Sequence, residues 1–180
     1  MGTWELAELP EGRKPIGCKW VFVKKCNEKG KLIKYKVQLV AQGFSQKPGI
    51  DFSNDGTFAP VMRFKTLRTL LAFAASKKWD IKQLDVKSAY FHELLKESIF
   101  MDQPQGFNDG SRQVCRLIQA LYGLRQAGNV WNREFNAAMK EIGFTQIKAN
   151  PCCYLWRQGE EFDILLVWVD DIISIVSSTI

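Results

Sequence analysis

Two adjacent carboxylates, Asp170 and Asp171, interrupt an otherwise apolar stretch, Ile164-Leu165-Leu166-Val167-Trp168-Val169-Asp170-Asp171-Ile172-Ile173-Ser174-Ile175-Val176. Buried unpaired carboxylates are rare because burying a lone charge is costly, so a pair placed here points to metal chemistry. Turn chemistry is the competing explanation, since Asp side chains bond their own backbone in turns. Yet no Gly or Asn accompanies the pair, and no other charge occurs between Ile164 and Ile180. A third carboxylate, Asp85, falls where the segment Trp79-Asp80-Ile81-Lys82-Gln83-Leu84-Asp85-Val86 hands over to a helical stretch from Ser88 to Leu95. Strand ends beside loops are where rigid scaffolds present catalytic groups. An N-terminal helix cap would explain Asp85 equally well.

The elements around these residues follow from periodicity. The two apolar runs flanking Asp170 and Asp171 are short and rich in β-branched residues, which predicts a hairpin with the acids at its tip. Lys19 to Cys26 and Leu32 to Ala41, joined through Asn27-Glu28-Lys29-Gly30, predict a second hairpin. Its lysines on one face and aromatics on the other could lie over phosphates, or simply protect an exposed sheet edge. Phe64, Leu67, Leu71 and Ala74 recur at helical spacing, so residues 63–77 are expected to be an amphipathic helix. Val114 to Leu117 reads as a strand. A further helix carries Trp131, Phe135, Ala138 and Ile142 on one face and stops at Gly143. Tyr154 to Arg157 and Phe162 onward read as strands joined at Gln158-Gly159-Glu160. This mixture predicts an α+β fold, an antiparallel sheet with helices packed on one face.

Composition narrows the class. With 180 residues, 46% hydrophobic and 24% charged, the chain can bury a sizeable core as one compact domain or part of a larger one, which argues against disorder. The apolar runs are broken by charge before they reach the length of a membrane span. The start, Met1-Gly2-Thr3-Trp4-Glu5, lacks a signal-peptide pattern. Five cysteines and one histidine show no zinc spacing, so the thiols are expected to be reduced, in an intracellular setting, cytoplasmic or nuclear. The net charge of +6 is uneven: residues 1–50 hold ten Lys and Arg against four acids, and residues 131–180 hold four against seven. A basic front and an acidic back suit a protein that grips polyphosphate with one part and metal with the other; a merely solvated basic face is the plainer alternative.

Six blocks then occur in a telling order: Ile16-Gly17-Cys18-Lys19-Trp20-Val21-Phe22, Leu39-Val40-Ala41-Gln42-Gly43-Phe44, Thr57-Phe58-Ala59-Pro60-Val61, Gln83-Leu84-Asp85-Val86-Lys87-Ser88-Ala89-Tyr90, Leu121-Tyr122-Gly123-Leu124-Arg125-Gln126-Ala127 and Val169-Asp170-Asp171. In this order they resemble the reverse transcriptases of copia-type retrotransposons, over essentially the whole chain. The resemblance implies a right-hand polymerase fold with fingers and a partial palm, residues 1–80 mainly fingers and 81–180 mainly palm, interleaved.

It also implies RNA-directed DNA synthesis from a primer 3′-hydroxyl, deoxynucleoside triphosphates as substrates, an RNA or DNA template with primer as partner, and two Mg²⁺ (or Mn²⁺) ions. Asp85 and Asp170 match the family's metal ligands and Asp171 its third acidic position. Tyr90 matches the aromatic that packs beneath the incoming sugar. Lys36 lies where the family places basic residues on the triphosphate, and Gln38 stands where Arg is usual, without the charged fork that grips phosphate. Tyr122, Gly123 and Gln126 match the segment lining nucleotide and template. Trp168 replaces the usual Tyr, Gly128 a common Pro, and Glu93 a usual Gly. The family pattern continues past Asp171 into a primer grip, thumb and RNase H, so an incomplete fragment is expected. The alternative is an inactive remnant that at most binds nucleic acid.

Overall fold

The computed structural model describes residues 2–53, 56–87 and 94–177. The chain divides into two compact units, residues 1–57 with 90–127 and residues 58–89 with 128–180.

The first unit is built on β1 (Trp4–Ala7), β2 (Cys18–Cys26), β3 (Leu32–Ala41), β5 (Phe100–Met101) and β6 (Val114–Leu117). β1, β6 and β5 form a three-stranded sheet in that order, and β2 pairs with β3 alone. Its core gathers Ile16, Ile99, Met101, Cys115, Leu117, Ala120 and Leu121, with Leu39 and Ala41 from the base of the hairpin. Hairpin register places Trp20 opposite Leu39, Phe22 opposite Val37 and Lys24 opposite Tyr35 on one face. Alternation leaves Lys19, Val21, Val23, Lys25, Lys34, Lys36, Gln38 and Val40 on the other. The expected split into a lysine face and an aromatic face is therefore present, with Lys24 on the aromatic side. Asn27 shapes the turn: its Oδ1 accepts the backbone N–H groups of Lys29 (3.1 Å) and Lys31 (2.9 Å).

Only the base of this hairpin is anchored, for every residue from Leu32 to Val37 is exposed. Few buried apolar contacts mean a low free energy of local opening. Amides of residues 32–37 are therefore predicted to exchange with solvent at least about tenfold faster than those of residues 164–167. Equal protection of the two segments in hydrogen-exchange measurements would contradict this.

The second unit contains α1 (Phe64–Lys77), β4 (Asp80–Asp85), nearly all of α2 (Ala127–Glu141), β7 (Thr145–Gln146), β8 (Cys153–Gln158), β9 (Glu161–Trp168) and β10 (Asp171–Val176). Its five strands form one antiparallel sheet in the order β4-β10-β9-β8-β7. Leu67, Leu70, Leu71 and Ala74 of α1 pack with Cys153, Ile164, Leu166, Ile173 and Ile175. Phe73 and Trp79 meet edge to face at 5.0 Å, and Trp79 meets Phe162 at 4.5 Å. In α2 the apolar stripe is deep at Trp131 and Phe135, whereas Ile142, expected on the same face, lies just past the helix end and is exposed.

The helices do not share one face, which corrects the expected arrangement. The residues meeting α1 all lie on one side of the sheet by register, but Phe135 of α2 packs against Tyr154 (5.4 Å), which lies beside Leu165 and Ser174 on the other side. The cause is the unbroken apolar run Ile164–Trp168 at the end of β9: Leu165, Leu166 and Val167 are buried in succession, so both faces need cover. Ser174, buried among them, is satisfied by donating to Asp163 Oδ1 at 3.0 Å.

Burial raises the Asp163 pKa above its usual range, against the lowering effects of Ser174 and Lys82. A raised carboxyl pKa means the ionised form is penalised in the fold, so this penalty is absent below the unfolded pKa and complete once pH passes the folded one. Asp163→Asn is predicted to raise Tm at neutral pH, with the difference shrinking as pH falls through the acid range; an effect constant with pH would count against this origin.

The helix expected over Ser88 to Leu95 lies almost wholly outside the described residues. Leu94 makes an antiparallel bridge to Gln119. No helix among the described residues is long and apolar enough to cross a membrane. All five cysteines are free thiols, and burial pushes Cys115 and Cys153 up to about 11, which leaves them unreactive as nucleophiles.

Candidate active site

β9 and β10 are joined by a two-residue turn, Val169–Asp170, closed by the pair Trp168 and Asp171. Val169 has φ 54°, and Asp170 is not among the residues with positive φ. A positive φ at the first residue of a two-residue hairpin turn marks a place glycine normally fills. A β-branched residue there is a genuine outlier, with strain on the order of 1–3 kcal/mol. The residue is 39% exposed, so burial offsets only part of that cost. Two hydrogen bonds hold the turn instead. The indole Nε1–H of Trp131 donates to the Val169 carbonyl at 2.9 Å, and the Val86 N–H donates to the Asp170 carbonyl at 2.8 Å. Phe64, at the start of α1, packs against Trp168 at 5.4 Å.

The second of those bonds sets the position of Asp85. Asp85 lies directly opposite Asp171 across β4 and β10. Because Val86 bonds to Asp170, this is a non-hydrogen-bonded pair, the kind with Cα atoms about 4.5 Å apart and side chains closest. Like charges directly opposite repel. Gln83 Nε2, on the same face, lies 3.5 Å from Asp171 Oδ1. Asp85 and Asp171 are exposed and Asp170 is half-buried. The backbone thus brings Asp85 beside Asp170 and Asp171 across more than eighty residues of chain. Among the described residues, however, no group of three or more His, Cys, Asp or Glu side chains is placed to hold a metal ion. The donors nonetheless fit a hard divalent cation in kind, since Mg²⁺ keeps several waters and takes one or two carboxylates together with substrate phosphates. The cross-strand pair supplies two such carboxylates.

The other predicted residues lie in the first unit, Tyr90 apart, which falls outside the described residues. Lys36 and Gln38 share the lysine face of β3, Lys36 exposed and Gln38 half-buried. On that face Lys25 stands opposite Lys34, a like-charged pair that an anion would relieve. Tyr122 and Gly123 abut the base of the same strand: the Ala41 N–H donates to the Tyr122 carbonyl at 2.8 Å, and Gly123, at φ 92°, leaves no room for a Cβ against the Ala41 carbonyl. Gln126 is turned inward, 2% exposed. Its Nε2 donates to the Asp51 carbonyl (2.9 Å) and its Oε1 accepts from Gln46 Nε2 (3.0 Å), so its amide fastens the 46–51 loop. Arg13 and Asp51 form an ion pair at 2.9 Å in the same loop system.

Sequence reasoning passed over Trp131, Val86 and Val169. The signal for Trp131 was present, because a buried indole N–H needs an acceptor. Periodicity could show only that it belonged to an inward face. A Val carbonyl in a turn gave no signal.

The whole chain, residues 1–180, matches the family model described as Reverse transcriptase (RNA-dependent DNA polymerase). The chain is 45% identical over 175 residues to the Retrovirus-related Pol polyprotein from transposon TNT 1-94 of Nicotiana tabacum, covering 96% of this chain and 13% of that protein. It is 39% identical over 174 residues to the Retrovirus-related Pol polyprotein from transposon RE1 of Arabidopsis thaliana, covering 95% and 12%. To the Transposon Ty1-LR2 Gag-Pol polyprotein of Saccharomyces cerevisiae it is 28% identical over 181 residues, covering 96% and 10%. The chain thus spans about an eighth or less of the length of these relatives. No solved structure matches it.

Proposed function

The chain belongs to the reverse transcriptase family of copia-type retrotransposons, and from that premise we propose that it carries the nucleotidyl-transfer centre of an RNA-directed DNA polymerase. The observation that carries this is the pairing of Asp85 with Asp171, fixed by the Val86 N–H on the Asp170 carbonyl. In the second unit, read as palm, Asp85, Asp170 and Asp171 would hold two Mg²⁺ or Mn²⁺ ions, which when bound would supply activation of the primer 3′-hydroxyl and stabilisation of the charge on the phosphates. The protein's part is to keep these carboxylates in place: strand pairing fixes Asp85 and Asp171, and the clamped turn fixes Asp170.

In the first unit, read as fingers, the lysine face of β2 and β3 binds phosphates of template, primer or triphosphate. Lys36 acts there as a point charge, while Gln38 contributes hydrogen bonds without charge. Gly123 and Tyr122 brace the base of that hairpin, and Gln126 locks the loop beside them. Tyr90 is assigned the sugar-sensing aromatic position by its match to the family's pattern, five residues after Asp85. The test is primer extension on an RNA template with Mg²⁺ or Mn²⁺ and deoxynucleoside triphosphates. Extension lost on Asp170→Asn supports the proposal; nucleic-acid binding with no extension under either metal favours the inactive remnant.

A further inference from the structure

We propose that Trp131 is a positioning residue for the carboxylate turn, its indole N–H holding Val169 in the left-handed conformation that sets the direction of Asp170 and Asp171. This rests on the reading of those carboxylates as cation ligands. Three observations converge on it. Val169 has positive φ, which its branched side chain disfavours, and with 39% of the residue exposed its own packing is only partial. The Trp131 indole donates to the Val169 carbonyl at 2.9 Å. The indole itself is fixed: Trp131 is 9% exposed and packs at a tilt against Phe135 at 5.4 Å, which in turn meets Tyr154 of β8 edge to face.

The geometry makes the turn a clamp with two jaws. Successive carbonyls, those of Val169 and Asp170, are gripped from different elements, one by α2 and the other by the residue after Asp85. Releasing the first jaw lets the valine relax toward the negative φ that its branched side chain prefers. The peptide between Val169 and Asp170 then rotates, and with it the Asp170 carbonyl that Val86 grips. The whole constellation loosens although no carboxylate has been touched, as when an outer partner that orients a metal ligand is removed.

The test uses the full 180-residue chain unaltered, as Trp131→Phe, and as Trp131→Phe with Val169→Gly. One readout needs no metal: the hydrogen-exchange rate of the Val86 amide, followed by NMR. The other is Mn²⁺ affinity from the EPR signal of the free ion, with Asp170→Asn identifying the site. Trp131→Phe is expected to speed Val86 exchange and to weaken Mn²⁺ binding, each by about tenfold or more. Glycine takes the left-handed conformation without steric cost, so adding Val169→Gly should bring both back to within about threefold of the unaltered chain. A tryptophan that merely packs would give a loss that a glycine touching neither ring leaves in place.

Unchanged Val86 exchange in Trp131→Phe, or a loss that the double variant retains, overturns the proposal. Should Trp131→Phe fail to fold, exchange of the indole N–H in the unaltered chain decides: strong protection supports the clamp, and exchange as fast as a free indole overturns it. If Val86 behaves as expected but the unaltered chain binds no Mn²⁺, the clamp stands and the cation reading falls.

Discussion

Asp85→Asn is expected to abolish primer extension while making the metal-free chain slightly more stable. The two effects have one source. Asp85 and Asp171 are direct cross-strand partners in a non-hydrogen-bonded pair, where side chains lie closest and like charges repel. Neutralising one partner should return about 0.2–1 kcal/mol of stability, or roughly 1–3 °C in Tm for a chain of this size. In the unaltered chain a divalent cation held by these carboxylates would relieve the same repulsion, so Mg²⁺ or Mn²⁺ should raise its Tm. In Asp85→Asn that gain should be lost. Extension should fall by about a thousandfold or more, because metal-held charge stabilisation amounts to several kcal/mol of the barrier. The measurements are thermal melts with and without metal beside single-nucleotide extension rates. A metal-induced rise in Tm that survives Asp85→Asn, or extension that does, would remove Asp85 from the site.

How far this was legible in the sequence depended on whether a feature is local. The α1 stripe at Leu67, Leu71 and Ala74 and the basic hairpin at Lys19 to Ala41 follow from period and turn chemistry, and both elements lie within a residue or so of where they were expected. The position of Asp85 at a strand end was legible too, and the family blocks tied it to Asp170 and Asp171. What was not legible depended on distant partners. β5 and β7, two residues each, exist because a neighbouring strand pairs with them rather than through propensity of their own. The two-sided cover of β9 and β10 was encoded in the unbroken run Leu165-Leu166-Val167, but such runs do not say which helix covers which face. The inward role of Gln126 depends on partners 75 and 80 residues away in sequence. Val169 was unreadable for the opposite reason: its residue type opposes the conformation it takes, and two groups that bond the turn's carbonyls, the Trp131 indole and the Val86 amide, lie far away in sequence.

Gly123→Ala is expected to be the most damaging single-methyl change in the first unit. The residue sits at φ 92°, where an L side chain is strained whatever space surrounds it. Here there is no space either: a Cβ would run into the carbonyl of Ala41, which is backbone and has no rotamer to change. Nor can the loop easily retreat, because the Tyr122 carbonyl is bonded to the Ala41 N–H and the Gly123 carbonyl is itself packed against Gly43, where a Cβ would also collide. Strain and overlap together should cost on the order of 3–5 kcal/mol, roughly 10 °C in Tm for a chain of this size. Gly159→Ala is the control. It also has positive φ, 61°, but an added Cβ meets nothing within 4 Å, so its cost should stay near 1 kcal/mol. The base of the lysine hairpin hangs on the Gly123 contact, so Gly123→Ala should also weaken nucleic-acid binding at low salt, where phosphate contacts dominate. Thermal melts of the two variants, with binding measured over a salt series, separate the contributions. Equal losses of stability in both would mean that backbone sign alone, and not the packing of Gly123 against β3, explains the glycine.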